Sequence, residues 1–180
     1  MTETFAPPRL SAVPVLLTER LMLRAPEPGD GAAFVAYATS ERTRFVGGAK
    51  PAYAAYEKFC SLIGHWVARG FGRFVLAPRE GGAGFGHVGP LQLDDSRTPD
   101  ITWTLWSAEA EGKGLAFEAA KAVLSWLPGA TGLRRLRTEI HVENHASQRI
   151  AARLGGVPTT EPGLLDNAVV WRFELPEGRA

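Results

Sequence analysis

Cysteine occurs once in these 180 residues, at Cys60. A lone thiol cannot close an intramolecular disulfide, and it leaves too few ligands for a thiolate metal cluster. Cys60 reads as a small apolar residue of a helix. An excess of either charge is also missing, since 20 lysines and arginines against 19 aspartates and glutamates leave +1. Sequence-independent binding along a duplex then has little to drive it, so no nucleic-acid partner is expected. No stretch approaches 18 consecutive apolar residues, and the opening MTETFAPPRL has neither a basic nor an apolar signal region. No membrane partner and a cytoplasmic location are expected. What is present is ordinary for a folded domain: 45% hydrophobic and 22% charged residues. A chain of this length buries roughly 70% of its unfolded surface and needs no staple.

Residues 1–14 hold Pro7, Pro8 and Pro14 and read as an irregular arm, with residues 15–180 as one domain in a monomer or homodimer. Within that domain short β-rich runs alternate with helical ones. Leu21-Met22-Leu23-Arg24 predicts a strand, and Asp30 after Pro26, Pro28 and Gly29 predicts a helix cap, with the helix running to about 39. Tyr56, Phe59, Ile63 and Trp66 recur at near-helical spacing over 52–69, and Gly70 and Gly72 end that helix. Strands are predicted at 73–77 and 85–93, joined by the glycine-rich turn 80–84, and again at 101–106. A helix over 115–127 follows, closed by Pro128-Gly129, then a strand at 136–142, a helix at 146–154 and a strand at 169–175. Strand 101–106, helix 115–127 and strand 136–142 form one βαβ unit with parallel strands. The fold class is α/β (α+β): a mixed six- to seven-stranded sheet with helices on both faces.

Glu111-Gly112-Lys113-Gly114-Leu115-Ala116 lies between a strand and a helix. Glycine there allows a tight turn and close approach of a ligand. The first amides of the helix lack internal partners and carry the positive end of its dipole, which suits a pyrophosphate. Two phosphate motifs fail. A P-loop needs a hydroxyl residue after Gly112-Lys113, where Gly114 stands, and the dinucleotide fingerprint needs glycine where Phe117 stands.

The segment does resemble the acetyl-coenzyme A loop [QR]-x-x-G-x-[GA] of the GNAT N-acetyltransferases, with Glu111 departing at the first position. Trp103-Thr104-Leu105-Trp106 followed by that loop is similar to the ribosomal-protein N-acetyltransferase (RimJ/RimL) branch. Thr18 to Arg24 looks like the branch's opening strand, Asn144-His145-Ala146-Ser147 like its N-x-x-S, and Arg153-Leu154-Gly155-Gly156 like its K-L-G-F. The resemblance runs from about 15 to 175 in the family's order. It implies transfer of an acetyl group from acetyl-CoA, a co-substrate, to a primary amine by direct attack in a ternary complex, with no metal. The amine is a protein N-terminus or a small molecule. It also implies that strands 101–106 and 136–142 splay, that main-chain N–H groups at the splay polarise the thioester carbonyl, and that the first two helices and C-terminal strands build the acceptor pocket.

By the same resemblance Thr104, Leu105, Trp106, Gly112, Lys113, Gly114, Leu115, Ala116 and Asn144 bind the coenzyme, Asn144 through its pantetheine arm. Tyrosine stands only at 37, 53 and 56, so the tyrosine that many relatives place after the N-x-x motif is missing. Ser147 takes its place as proton donor to the leaving thiolate, unless it serves only to start a helix. Asp100 stands where the branch has a glutamate base, one methylene shorter, so a water relay is expected. Glu139 and His141, on one strand face, are reserves. Glu111 is expected to point to solvent, away from the phosphates. Arg134, Arg135 and Arg137 form a basic cluster able to meet the coenzyme's 3′-phosphate or an acidic acceptor. Trp103 and Trp106 fall on opposite strand faces, placing one of them to line the acceptor site. A non-catalytic coenzyme A-binding sensor or scaffold needs only the loop and Asn144, and remains the alternative.

Overall fold

Five antiparallel strands precede the candidate loop, and the helix that starts at the loop carries the chain over to a parallel strand. The computed structural model describes residues 10–176. Strands β1 (Leu16–Leu17), β2 (Leu21–Arg24), β3 (Phe74–Pro78), β4 (Gly86–Leu91) and β5 (Asp100–Leu105) neighbour one another antiparallel. Helices α1 (Gly31–Ala38) and α2 (Ala52–Arg69) connect β2 to β3. Then α3 (Leu115–Thr131) carries the chain to β6 (Arg135–His141), parallel to β5, and α4 (His145–Arg153) leads to β7 (Val157–Pro158) and β8 (Ala168–Glu174). Among the described residues the sheet has eight strands in the order β1-β2-β3-β4-β5-β6-β8-β7, mixed through one parallel pair.

The six to seven strands expected thus become eight, because β1 and β7 are two-residue strands too short to show alternation. Of the expected arm, residues 1–9 lie outside the described part. Leu10 and Val13 pack against the main core, where Val13 N–H donates to Leu10 O (3.3 Å).

Two apolar clusters sandwich the sheet. On one face Ala119, Val123 and Leu127 of α3 and Ala151 of α4 pack on Leu21, Leu76, Ile101, Leu136 and Phe173. On the other, Phe34 and Tyr37 of α1 and Phe59 and Leu62 of α2 enclose Val75 and Trp106. Strand β3 is buried on both faces, so Phe74 and Leu76 feed the first cluster and Val75 the second.

Two local expectations are corrected. Asp30 does not cap α1 with its side chain: its carboxylate accepts from Glu27 N–H (2.9 Å) and takes both arms of Arg24 (2.8 Å each). Helix α3 runs through Pro128-Gly129 to Thr131. Proline costs the helix one donor but leaves the downstream amides free to bond, and the stop comes at Gly132, whose left-handed backbone (φ 74°) donates back to Pro128 O at 3.2 Å. Cys60 stands on α2, as a helix residue, and is exposed.

Candidate active site

Strands β5 and β6 pair only at Asp100 and Arg137, where Arg137 N–H donates to Pro99 O at 3.0 Å, and then diverge. At the far end of β5, Trp106 N–H donates to Phe85 O (2.7 Å) on the β4 side. Alternation therefore turns the main-chain groups of Trp103 and Leu105 toward the gap that β6 has left. Into this gap opens a cleft of about 530 Å³, lined by Trp103, Thr104, Leu105, the 110–117 turn and the start of α4.

The turn itself is held by backbone conformation. Gly112 and Gly114 have φ of 72° and 75°, where a Cβ is strained. Gly114 precedes the first turn of α3 and no side chain caps it. Among the described residues the amides of 112–117 donate to no protein acceptor, the first bond of the turn being Glu118 N–H to Gly114 O (3.1 Å). Those amides form a cradle for an anion at the positive end of a 17-residue helix.

Helix α4 supplies the opposite wall. Asn144 caps it, its Oδ1 accepting from Ser147 N–H at 3.2 Å, which leaves the Asn144 amide hydrogens to the cleft. Ser147 is therefore not the cap. Its Oγ accepts from the Trp103 indole N–H (3.3 Å), so its own hydroxyl proton is unspent.

A second cavity, of about 140 Å³, lies on the α1–α2 side of β5 and is lined by Phe34, Tyr37, Lys58, Arg73, His87 and Thr104 among others. Tyr37 and Thr104 line both spaces. Burial pushes the Tyr37 phenol above its ordinary pKa and Glu111 adds to the rise, while Arg42 opposes it, so the group stays protonated.

Such a splayed strand pair over a free-amide turn is the arrangement expected for binding a pyrophosphate and a pantetheine arm. Residues 20–157 match the model of the acetyltransferase (GNAT) domain. The chain belongs to the GNAT acetyltransferase family. The fold agrees. An acetyltransferase from Agrobacterium tumefaciens is 28% identical, with a TM-score of 0.82 over 89% of this chain and 94% of that one. A GNAT-family acetyltransferase from Bordetella pertussis is 25% identical, with a TM-score of 0.74 over 89% and 99%. The ribosomal L7/L12 alpha-N-protein acetyltransferase RimL, in complex with coenzyme A, shares the fold at 13% identity (TM-score 0.73, 90% and 98% covered). No curated protein matches the chain. GNAT enzymes take their acetyl group from acetyl-CoA, and the cradle of unpartnered amides beside an open strand edge fits that donor.

Within this acetyltransferase the expected site residues separate. Thr104, Leu105, Gly112, Gly114, Leu115, Ala116, Asn144 and Ser147 line one cleft. Lys113 does not: its carbonyl accepts from Arg20 Nη1 (3.0 Å) and its side chain is exposed. Trp106 does not either. It is 5% exposed in the α1–α2 cluster, and its indole donates to His87 Nδ1 at 2.9 Å. Neither Trp103 nor Trp106 lines the smaller cavity. Asp100 lies at the closed root of the splay, 3.3 Å from Arg137 Nε, and lines neither space. Burial raises its pKa against the pull of Arg137. Glu139 is occupied, accepting from Leu164 and Leu165 N–H (2.7 and 2.8 Å) and pairing with Arg137. His141 stacks on Phe45 and its Nδ1 accepts from Glu143 N–H.

Three features escaped the sequence. Glu111, 60% exposed, pairs with Arg42, whose guanidinium also reaches the carbonyls of Leu105 (3.1 Å) and Trp106. The carboxylate at the position of the family's Gln/Arg is thus neutralised. The arginines on the cleft are Arg42, Arg44, Arg149 and Arg153, whereas none of Arg134, Arg135 and Arg137 lines it. Arg149 and Arg153 stand four apart on α4, a spacing that signals a shared helix face. Tyr37 reaches the site from α1, and no motif marks it.

Proposed function

We propose that this GNAT enzyme acetylates a primary amine by direct attack, in the manner of the RimJ/RimL branch. The observation that carries the reading is the row of unpartnered amides at 112–117 opening onto the same cleft as the free hydroxyl of Ser147. Acetyl-CoA supplies a thioester whose carbonyl carbon accepts the amine. The amides of 112–117 bind its diphosphate, and the Asn144 side-chain N–H groups and the open edge of β5 hold the pantetheine arm. Main-chain N–H at Trp103 or Leu105 meets the charge that grows on the carbonyl oxygen.

The nitrogen gains a bond to the acetyl carbon as the carbon–sulfur bond breaks. Ser147 gives its hydroxyl proton to the departing sulfur, supported by the Trp103 indole, and recovers one from water. The surplus proton on nitrogen leaves through water along the β5 face of Thr104 and Thr102 toward Asp100, whose carboxylate is made more basic by burial against the pull of Arg137. One proton is lost from nitrogen and one gained by sulfur, so the enzyme is regenerated.

Gly114→Glu tests the donor site. A left-handed non-glycine residue costs about 1–2 kcal/mol, and its carboxylate would enter the phosphate cradle. Titration calorimetry should show coenzyme A affinity falling at least a hundredfold with the fold intact. Unchanged affinity would overturn the assignment, and saturable binding by wild type with no turnover on any amine would leave a coenzyme A-binding module.

A further inference from the structure

The smaller cavity holds cations without counter-ions. Arg73, Lys58 and Lys50 line it together with His87, and no aspartate or glutamate does. Arg73 is 4% exposed, its Nε is buried without a partner, and among the described residues its side chain makes no hydrogen bond or ion pair. Its position is nonetheless built with care. Trp66 Nε1–H donates to Arg73 O at 3.0 Å, and a Cβ on Gly89 (φ 146°) would stand 2.8 Å from Arg73 Cα, so only glycine lets β4 close over this point. An unpaired buried charge is strongly unfavourable unless something compensates it.

The neighbours sharpen the picture. Burial brings the Arg73 pKa down to about 10. Burial also lowers Lys58, with Arg73 and Lys50 adding repulsion, and His87, with Arg73 and Lys58 adding theirs. Among the described residues no carboxylate lines the cavity to offset these charges. His87 Nδ1 already accepts from Trp106, so a neutral ring keeps its proton on Nε2 as a further donor.

We propose that this cavity takes the oxyanion of the acceptor: the amine is a small molecule carrying a carboxylate or phosphate, held by Arg73, Lys58 and Lys50, with its nitrogen toward Tyr37 and Thr104. The proposal rests on the reading of the adjoining cleft as the acetyl-donor site. A guanidinium fork binds either oxyanion in bidentate fashion. The volume of about 140 Å³ admits a group the size of an amino acid and excludes a folded chain. Tyr37 and Thr104 line both cavities, which puts the acceptor nitrogen next to the cleft that takes the thioester.

The test pairs acceptors that differ only in the oxyanion: α- and ω-amino acids against their carboxamides, and phosphoethanolamine against ethanolamine, each with acetyl-CoA and the full chain. The oxyanion member should show a kcat/KM at least a hundredfold higher, and the pair with the larger ratio tells carboxylate from phosphate. Arg73→Met should raise the KM for that acceptor at least thirtyfold while leaving the KM for acetyl-CoA within twofold, with Arg73→Lys intermediate. Removing an uncompensated charge should also raise the Tm of Arg73→Met, whereas a residue with a merely structural role would lower it. Equal turnover of acid and amide, or an Arg73→Met variant with a lower Tm and an unchanged acceptor KM, would overturn the oxyanion subsite while leaving acetyl transfer intact. If wild type binds coenzyme A and acetylates nothing, acetyl transfer fails. The subsite is then judged by thermal shift with the same amino acids and phosphoethanolamine: Tm rises for wild type and not for Arg73→Met uphold it, and no rise refutes it.

Discussion

Ser147 can accept one hydrogen bond and give another, and the protein uses only the acceptor half. A hydroxyl that merely capped α4 would be spent on a main-chain N–H, but Asn144 does that. Ser147→Ala should lower kcat about a hundredfold, the lower end of what positioned proton transfer contributes, with the KM for acetyl-CoA changed less than threefold. Steady-state kinetics against both substrates read the split. If Tyr37→Phe takes the loss in kcat instead and Ser147→Ala is silent, the proton comes from the phenol that lines both cavities. Asp100→Asn should remove the acidic limb from the pH profile of kcat/KM, and an unchanged profile would return Asp100 to a purely positioning role beside Arg137. At this scale the sequence was readable where residues sit in motifs. Asn144, Ser147 and the glycines are contiguous with the loop or α4, while Tyr37, Arg42 and Arg73 come from segments far from the loop in sequence that carry no motif and are brought to the two cavities by the fold alone.

Helix α3 is aimed at the cleft by the segment that resembles the family's opening strand. Glu118, in its first turn, accepts from the Thr18 hydroxyl (2.6 Å), the Arg20 amide (3.0 Å) and Arg20 Nε (2.7 Å), and Arg20 Nη1 also holds Lys113 O. One carboxylate thus ties β2's entry to both the glycine turn and the helix behind it, which gives Thr18 and Arg20 a physical reason to stand where they do. Burial alone would raise the Glu118 pKa, but the Thr18 and Arg20 bonds together hold it below the ordinary value. Its contribution is present above the unfolded pKa of about 4.3 and fades as pH falls through the lower folded value. Glu118→Gln should cost about 1–2 kcal/mol at pH 7 in urea melts, with the difference from wild type shrinking below pH 4. A constant difference across that range would mean the ion pair is not the cause. Element boundaries were legible where a stop signal acts alone, as at Gly70. Where two signals compete they were not: Pro128-Gly129 looked final, yet a proline late in a helix removes only its own donor, and Gly132 holds the true end. Sheet order lay beyond periodicity altogether, because β7 pairs with β8 on the strength of two residues.

Across the whole molecule two buried histidines pin the α1–α2 layer to the sheet, and both are fixed as neutral rings by what they accept. His65 Nε2 accepts from Gln92 N–H (3.0 Å) while Nδ1–H donates to Phe71 O (2.8 Å), joining α2 to the chain on either side of the β3–β4 hairpin. His87 Nδ1 accepts from Trp106, joining β4 to the end of β5 beneath α1. Protonating His87 at Nδ1 would put a hydrogen where the Trp106 donor already points, whereas His65 Nε2 also has the Gln92 carbonyl at 3.3 Å. Burial lowers both pKa values, that of His87 well below the usual 6.5, with Arg73 and Lys58 adding to the effect there, while His65 keeps some compensation from the Phe71 and Gln92 carbonyls. Above pH 6.5 folded and unfolded chains hold these rings alike. Below it the unfolded chain takes up protons that the folded chain refuses, so stability must fall as pH drops from 6.5, by about 1 kcal/mol per pH unit for each histidine until its folded pKa is reached. Urea midpoints measured from pH 7.5 to 5 should trace that decline, above the range in which an ordinary carboxylate titrates. His87→Gln keeps an acceptor for Trp106 and cannot take a proton, so the variant should lose about half of the slope. If its midpoints run parallel to those of wild type over this range, the layer is held by packing against Phe34 and Trp106 alone, and the charge-free state of His87 has no part in holding it.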